Sequence, residues 1–161
     1  GRLGTVFHEA VALRLGGQRQ LLTLEQAGVP DALAPGDRTK LERWLKTVED
    51  LPLLEGHVLE DTEVELELAL EPVTLRCRLD AVFRGPAGTW LIVDWKTGSR
   101  RVPVDQLSVY VHALSASRGV ETGAVRAAYV YVNRDGGLVD ELAAADLLPL
   151  AKIEAALQVR A

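Results

Sequence analysis

Asp80 to Gly98 reads DAVFRGPAGTWLIVDWKTG, and the fold turns on it. Between Pro72 and Arg101 the only carboxylates are Asp80 and Asp94, whereas Arg76, Arg78, Arg84, Lys96, Arg100 and Arg101 supply the basic groups. Val73 to Arg84 alternates, the signature of a half-buried strand. Val73, Leu75, Cys77, Leu79, Ala81 and Phe83 are expected on one face, and Thr74, Arg76, Arg78, Asp80, Val82 and Arg84 on the other. Gly85 to Thr89 (GPAGT) is turn chemistry, which predicts a hairpin. Trp90 to Trp95 (WLIVDW) is nearly all apolar, as a central strand covered on both faces would be. Asp94 and Lys96 are two residues apart and so point the same way, with Asp80 brought alongside by the hairpin. Two readings fit this convergence. One is a buried Asp–Lys ion pair with Asp80 solvated. The other is a divalent cation between two carboxylates that would otherwise repel, for which Mg²⁺ or Mn²⁺ is suited by its preference for oxygen ligands.

Working outward, Gly1 to Leu15 is expected to be a helix capped by Thr5, with an apolar stripe of Val6, Phe7, Ala10, Val11 and Leu15, ending at Gly16-Gly17. His8 lies in its first turn. Gln20 to Ala27 reads as a short helix, Val29 to Gly36 as a loop, and Asp37 to about Glu49 as a capped helix. Thr62 to Leu70 (TEVELELAL) is a strand with Val64, Leu66, Leu68 and Leu70 inward and Glu63, Glu65 and Glu67 outward, completing a three-stranded antiparallel meander. After a basic loop, Gln106 to Ser117 reads as a helix with Leu107, Val111 and Leu114 in the core and Gln106 and Tyr110 sharing another face. Ala124 to Val132 is a further strand, Asn133 to Gly137 a tight turn, and Asp146 to about Gln158 a terminal helix.

The 161 residues suit one domain, and 48% hydrophobic with 25% charged residues is ordinary for a soluble protein. The single cysteine, Cys77, rules out an internal disulfide and a four-cysteine zinc or iron–sulfur site. With no transmembrane run or signal peptide in view, a reducing, cytoplasmic setting without a membrane partner is expected. The chain opens at Gly1 without methionine, which leads us to expect part of a larger protein. The net charge of −5 does not suggest a nucleic-acid binder. Its distribution is uneven: Glu49 to Glu71 holds nine acids and no Lys or Arg, and the basic stretch follows it. A local basic field beside Asp80 and Asp94 would suit a phosphate backbone.

Four segments in order, GTVFHEA (4–10), LRCRLDAVF (75–83), VDWKTG (93–98) and QLSVY (106–110), resemble the PD-(D/E)XK nuclease superfamily, in particular the RecB-type domains of helicase–nucleases. VRAAYVYV (125–132) is similar to the corresponding strand of actinobacterial helicase–nucleases. Cys77 departs from the glycine usual before the RLD motif, and the cysteines of the iron–sulfur branch are absent. The resemblance implies a restriction-endonuclease-like α/β core, a mixed central sheet flanked by helices, as a single domain over residues 1–161 excised from the C-terminus of a helicase–nuclease. It implies hydrolysis of DNA phosphodiester bonds, in single strands or duplex ends, during double-strand break processing and recombinational repair. Asp80, Asp94 and Lys96 would be catalytic. His8, Asp80, Asp94 and the Trp95 carbonyl would hold Mg²⁺ or Mn²⁺, with no iron–sulfur cluster. Gln106 and Tyr110 would contact DNA, and Arg76, Arg78, Arg100 and Arg101 its backbone. A helicase motor domain would be the partner. A free-standing endonuclease or junction resolvase, and a DNA-binding module that does not cut, are the alternatives. In the metal-free protein the two carboxylates are expected to repel, so that Asp80→Asn costs no stability.

Overall fold

A computed structural model describes residues 2–16 and 33–160 of the chain. The expected short helix over Gln20 to Ala27, and the first half of the expected loop from Val29 to Gly36, lie outside the described residues. Five strands form one mixed sheet in the order β1-β2-β3-β4-β5: Val58–Ala69, Thr74–Arg84, Trp90–Lys96, Val125–Tyr131 and Leu138–Glu141. β3 and β4 run parallel and every other neighbouring pair is antiparallel. The parallel pair needs a crossover, which α3 (Ser108–Arg118) supplies. This is the expected α/β core, a mixed sheet flanked by helices.

The sheet separates two layers of core. On one face α1 (Arg2–Gly16) and α2 (Pro35–Glu49) bring Phe7, Val11, Leu41, Trp44 and Leu45 against Ala81, Phe83, Leu91, Val93 and Trp95. On the other, Leu107, Val111 and Leu114 cover Val82, Ile92, Ala127, Tyr129 and Tyr131. α4 (Leu150–Arg160) adds Ile153 beside Leu68, Leu70 and Ala113. β3 is buried along both faces from Trp90 to Trp95, which explains its uninterrupted apolar run.

Several boundaries move. α1 begins at Arg2, so Thr5 lies within the helix rather than capping it. α2 begins at Pro35, whose fixed φ suits a first helical position, and Asp37 sits in the first turn instead of at the cap. β1 begins at Val58, and a register shift between Leu59 and Asp61 accommodates the extra residues. α3 begins at Ser108 because Val104–Leu107 forms a 3₁₀ turn, which places Gln106 before the helix. α4 starts after Pro149, whose carbonyl accepts the N–H groups of Lys152 and Ile153, and Asp146 closes a separate 3₁₀ turn. The short edge strand β5 is absent from the sequence reading, since four residues are too few to show a period.

The alternation of β2 breaks where the site lies. Ala81 and Phe83 face α1 and α2, but Leu79 joins Val82 on the α3 side. The β2–β3 ladder ends at the pair Ala81 with Val93, and the next residue, Asp80, takes the Trp95 N–H with its side chain. The two strands part at that point, and the expected single face from Val73 to Phe83 does not persist through it.

Candidate active site

The parting of β2 and β3 leaves a backbone donor that the ladder does not use, and Asp80 fills the role: Trp95 N–H donates to Asp80 Oδ2 at 2.8 Å. The same oxygen lies 3.3 Å from His8 Nε2. His8 reaches the spot from α1, where its Nδ1 is 2.8 Å from the Gly4 carbonyl one turn earlier and its Nε2 is 3.0 Å from the Trp95 carbonyl. The Gly4 bond fixes the ring and presents Nε2 to the strand ends. Gly4 is itself constrained: a Cβ there would come within 2.9 Å of Thr97 Oγ1, so the residue permits the close approach of α1 to the end of β3.

Asp94 lies on the opposite face of β3 from Trp95, is 8% exposed, and meets Lys96 Nζ at 3.0 Å. It lies near enough to Asp80 for the two carboxylate charges to repel. Burial, and then the charge of Asp80, push Asp94 up to about 6 despite the pull of Lys96. Burial also works against the charge of Asp80, but the hydrogen bond and charge of His8, with the Trp95 N–H, hold Asp80 below the usual carboxylate range. The hydrogen bond to Asp80 leads the causes that carry His8 up to about 9. The carboxylates therefore divide into one well-compensated charge and one disfavoured charge. The expected repulsion falls on Asp94, because His8 and the Trp95 N–H compensate Asp80, so Asp80→Asn is no longer expected to be free of cost.

Tyr110, in the first turn of α3, belongs to the same field. Burial, then the charges of Asp94 and Asp80, push its phenol up to about 12. Gln106 is exposed on the 3₁₀ turn that leads directly into α3. The arginines also differ from expectation. Antiparallel pairing lays the acidic stretch against the basic one: Arg76 meets Glu67 at 3.5 Å, Arg78 meets Glu63 at 2.7 Å and Arg84 meets Glu60 at 2.9 Å. Arg101 is held by Asp140 at 2.8 Å, and Arg100 is exposed in the loop beside it. The basic field is thus largely neutralised in space. Arg78 and Glu63 nonetheless line a cavity of ≈ 400 Å³ together with Gly4, Thr5, His8, Glu9, Asp80 and Thr97. Glu63 is a non-glycine residue at φ 52°, and nothing in the local sequence pattern distinguishes it from Glu65 and Glu67.

The donors suit a hard divalent cation: two carboxylates, one disfavoured without a counter-charge, an imidazole and a carbonyl. Among the described residues no three His, Cys, Asp or Glu side chains are already arranged around an ion. Asp80 is the carboxylate that meets both His8 Nε2, at 3.3 Å, and the Trp95 N–H, at 2.8 Å.

The chain belongs to the PD-(D/E)XK nuclease superfamily, whose family model matches residues 1–159. Nucleases of this superfamily generally use divalent metals such as Mg²⁺. The fold is shared with the crystal structure of the "Putative exonuclease" of Eubacterium rectale, at a TM-score of 0.61 and 10% identity. That alignment covers 98% of this chain and 65% of the other, so this chain spans less than two thirds of it. A second solved structure, SSO0001, aligns over 97% of this chain and 75% of its own length at 22% identity and a TM-score of 0.35. No curated protein matches the chain. Among the described residues, no helix is long and apolar enough to cross a membrane.

Proposed function

We propose that the protein is a divalent-metal-dependent deoxyribonuclease that hydrolyses phosphodiester bonds. The observation that carries this reading is the meeting of Asp80, Asp94 and Lys96 where β2 and β3 part, with His8 Nε2 3.0 Å from the Trp95 carbonyl. His8, Asp80, Asp94 and the Trp95 carbonyl would hold Mg²⁺ or Mn²⁺. The bound ion would supply Lewis acidity and lower the pKa of a bound water. The remaining roles fall to the chain's own side chains. Lys96 offsets charge that develops on the phosphate. The Gly4 carbonyl keeps a proton on Nδ1 of His8, which leaves Nε2 to act as the ligand once it is deprotonated. Tyr110 orients the strand at the rim, and Arg100 gives a sequence-independent backbone contact. Arg76, Arg78 and Arg101 can reach phosphate only by leaving their acidic partners.

The narrower setting, a nuclease domain of a helicase–nuclease acting on broken DNA ends, rests on the resemblance of the four motif segments. The test is a cleavage assay on single-stranded, linear duplex and branched DNA, with Mg²⁺, Mn²⁺ or a chelator. Wild type should cut only with metal, Asp94→Ala should not cut, and Lys96→Ala should lose about 10² or more, as for a lost transition-state donor. Metal binding without cleavage of any substrate would replace this reading with that of a non-cutting DNA-binding module.

A further inference from the structure

Tyr129 lies in VRAAYVYV (125–132), outside the four segments that carry the candidate site, yet its ring lies against Lys96. The parallel register of β3 and β4 pairs Asp94 with Tyr129 and Lys96 with Tyr131. Lys96 Nζ lies 5.0 Å from the centroid of the Tyr129 ring and 3.0 Å from Asp94 Oδ2. We infer that Tyr129 is a positioning residue for Lys96, its ring face and the Asp94 carboxylate together fixing where the ammonium points. The ring is 4% exposed and meets Tyr131 edge to face at 6.3 Å. The Tyr131 hydroxyl in turn accepts the Val102 N–H at 2.8 Å, so the loop after β3 braces the pair. A cation over an aromatic face is attracted by the ring's quadrupole, and a ring that cannot turn keeps that attraction directional. Lysine otherwise carries its charge on a flexible four-carbon stem. The ring matters most when Asp94 is occupied by another cation, because the carboxylate then gives up part of its hold on Lys96. The effect on cleavage rests on the proposed nuclease reading, but the geometric claim does not.

Two measurements test this inference separately. Reductive ¹³C-methylation labels the four lysines of the chain, and Lys96→Arg identifies the Lys96 signal. That signal should be displaced upfield by the ring in wild type and in Tyr129→Phe, and should return to the position of an exposed lysine in Tyr129→Leu. In cleavage assays Tyr129→Leu should lower kcat about tenfold, the size expected for one partly buried cation–ring contact. KM and the metal-induced rise in melting temperature should hold. Tyr129→Phe should recover most of the loss, and Tyr129→Leu should add nothing in a Lys96→Ala background. The inference fails if the wild-type Lys96 signal already matches an exposed lysine, an outcome that needs no Tyr129 variant to fold. It also fails if Phe loses as much as Leu, or if the two losses add. If wild type does not cut DNA, the nuclease reading falls while the spectroscopic arm still decides the role of Tyr129.

Discussion

Asp80 and Asp94 are both aspartates on adjacent strands, but the fold makes them unequal. Asp80 accepts the Trp95 N–H and faces His8; Asp94 is buried with Lys96 as its counter-charge and Asp80 as its repelling neighbour. In metal-free protein at pH 7, Asp80→Asn should melt a few degrees below wild type, since hydrogen bonds to a charged group are worth about 1.5–3 kcal/mol. Asp94→Asn should melt at or above wild type, because it removes a charge the fold disfavours. Paired melting curves in chelator decide the matter, and the reverse order would remove the distinction. The same asymmetry sets a pH dependence. The folded pKa of Asp94 is raised, so its contribution is complete below the ordinary carboxylate value and is lost as pH rises through about 6. His8 is also raised, so its contribution is complete below about 6.5 and is lost as pH rises through about 9. Melting temperatures in chelator from pH 4 to 10 should therefore fall in two steps, the first missing in Asp94→Asn and the second in His8→Ala.

At the scale of the element, α1 and the β1–β2 ribbon carry the argument. Gly4 lets α1 approach Thr97 and so seats His8. Gly4→Ala should cost about 1 kcal/mol by overpacking, or about 2–4 °C for a chain of this size. Thr97→Ala should restore most of that loss, because the clashing atom is its hydroxyl; a double variant no better than Gly4→Ala would place the strain elsewhere. The ribbon explains why the acidic and basic stretches do not make two opposed surfaces. Exposed cross-strand pairs such as Arg76 with Glu67 add little stability, but they give the arginines acidic partners. Arg100 has no such acidic partner among the described residues. Its replacement by Ala should weaken DNA binding evenly across sequences and reduce the slope of log K against log salt by about 1, with Arg76→Ala changing it less.

For the whole molecule, the sheet divides two cores and the site opens where β2 leaves it, so a bound ion would join α1 to both central strands. Mn²⁺ or Mg²⁺ should then raise the melting temperature of wild type with concentration, following RT ln(1 + [L]/Kd), and chelator should reverse it. Asp80→Asn should abolish the rise, since Asp80 is one of the two carboxylates of the proposed ligand set and the one that meets His8. A wild-type rise in that variant would exclude Asp80 as a ligand.

Local periodicity alone determined the hairpin, the covered central strand, the core stripe of α3 and the common direction of Asp94 and Lys96. These depend on side-chain spacing over two to four residues, which the chain carries in any context. The order of the motif segments placed His8 and Tyr110 with them. Tertiary structure decided the rest, because it depends on register and on the ends of ladders. Only the departure of β2 from β3 shows that Asp80 serves a backbone donor and that Leu79 changes face. Only antiparallel pairing cancels the two charged stretches, and only the parallel register of β4 sets Tyr129 beside Asp94 and Lys96. Residues distant in the chain acquire a relation when hydrogen-bonded strands fix their level and face, and no spacing within one segment contains that information.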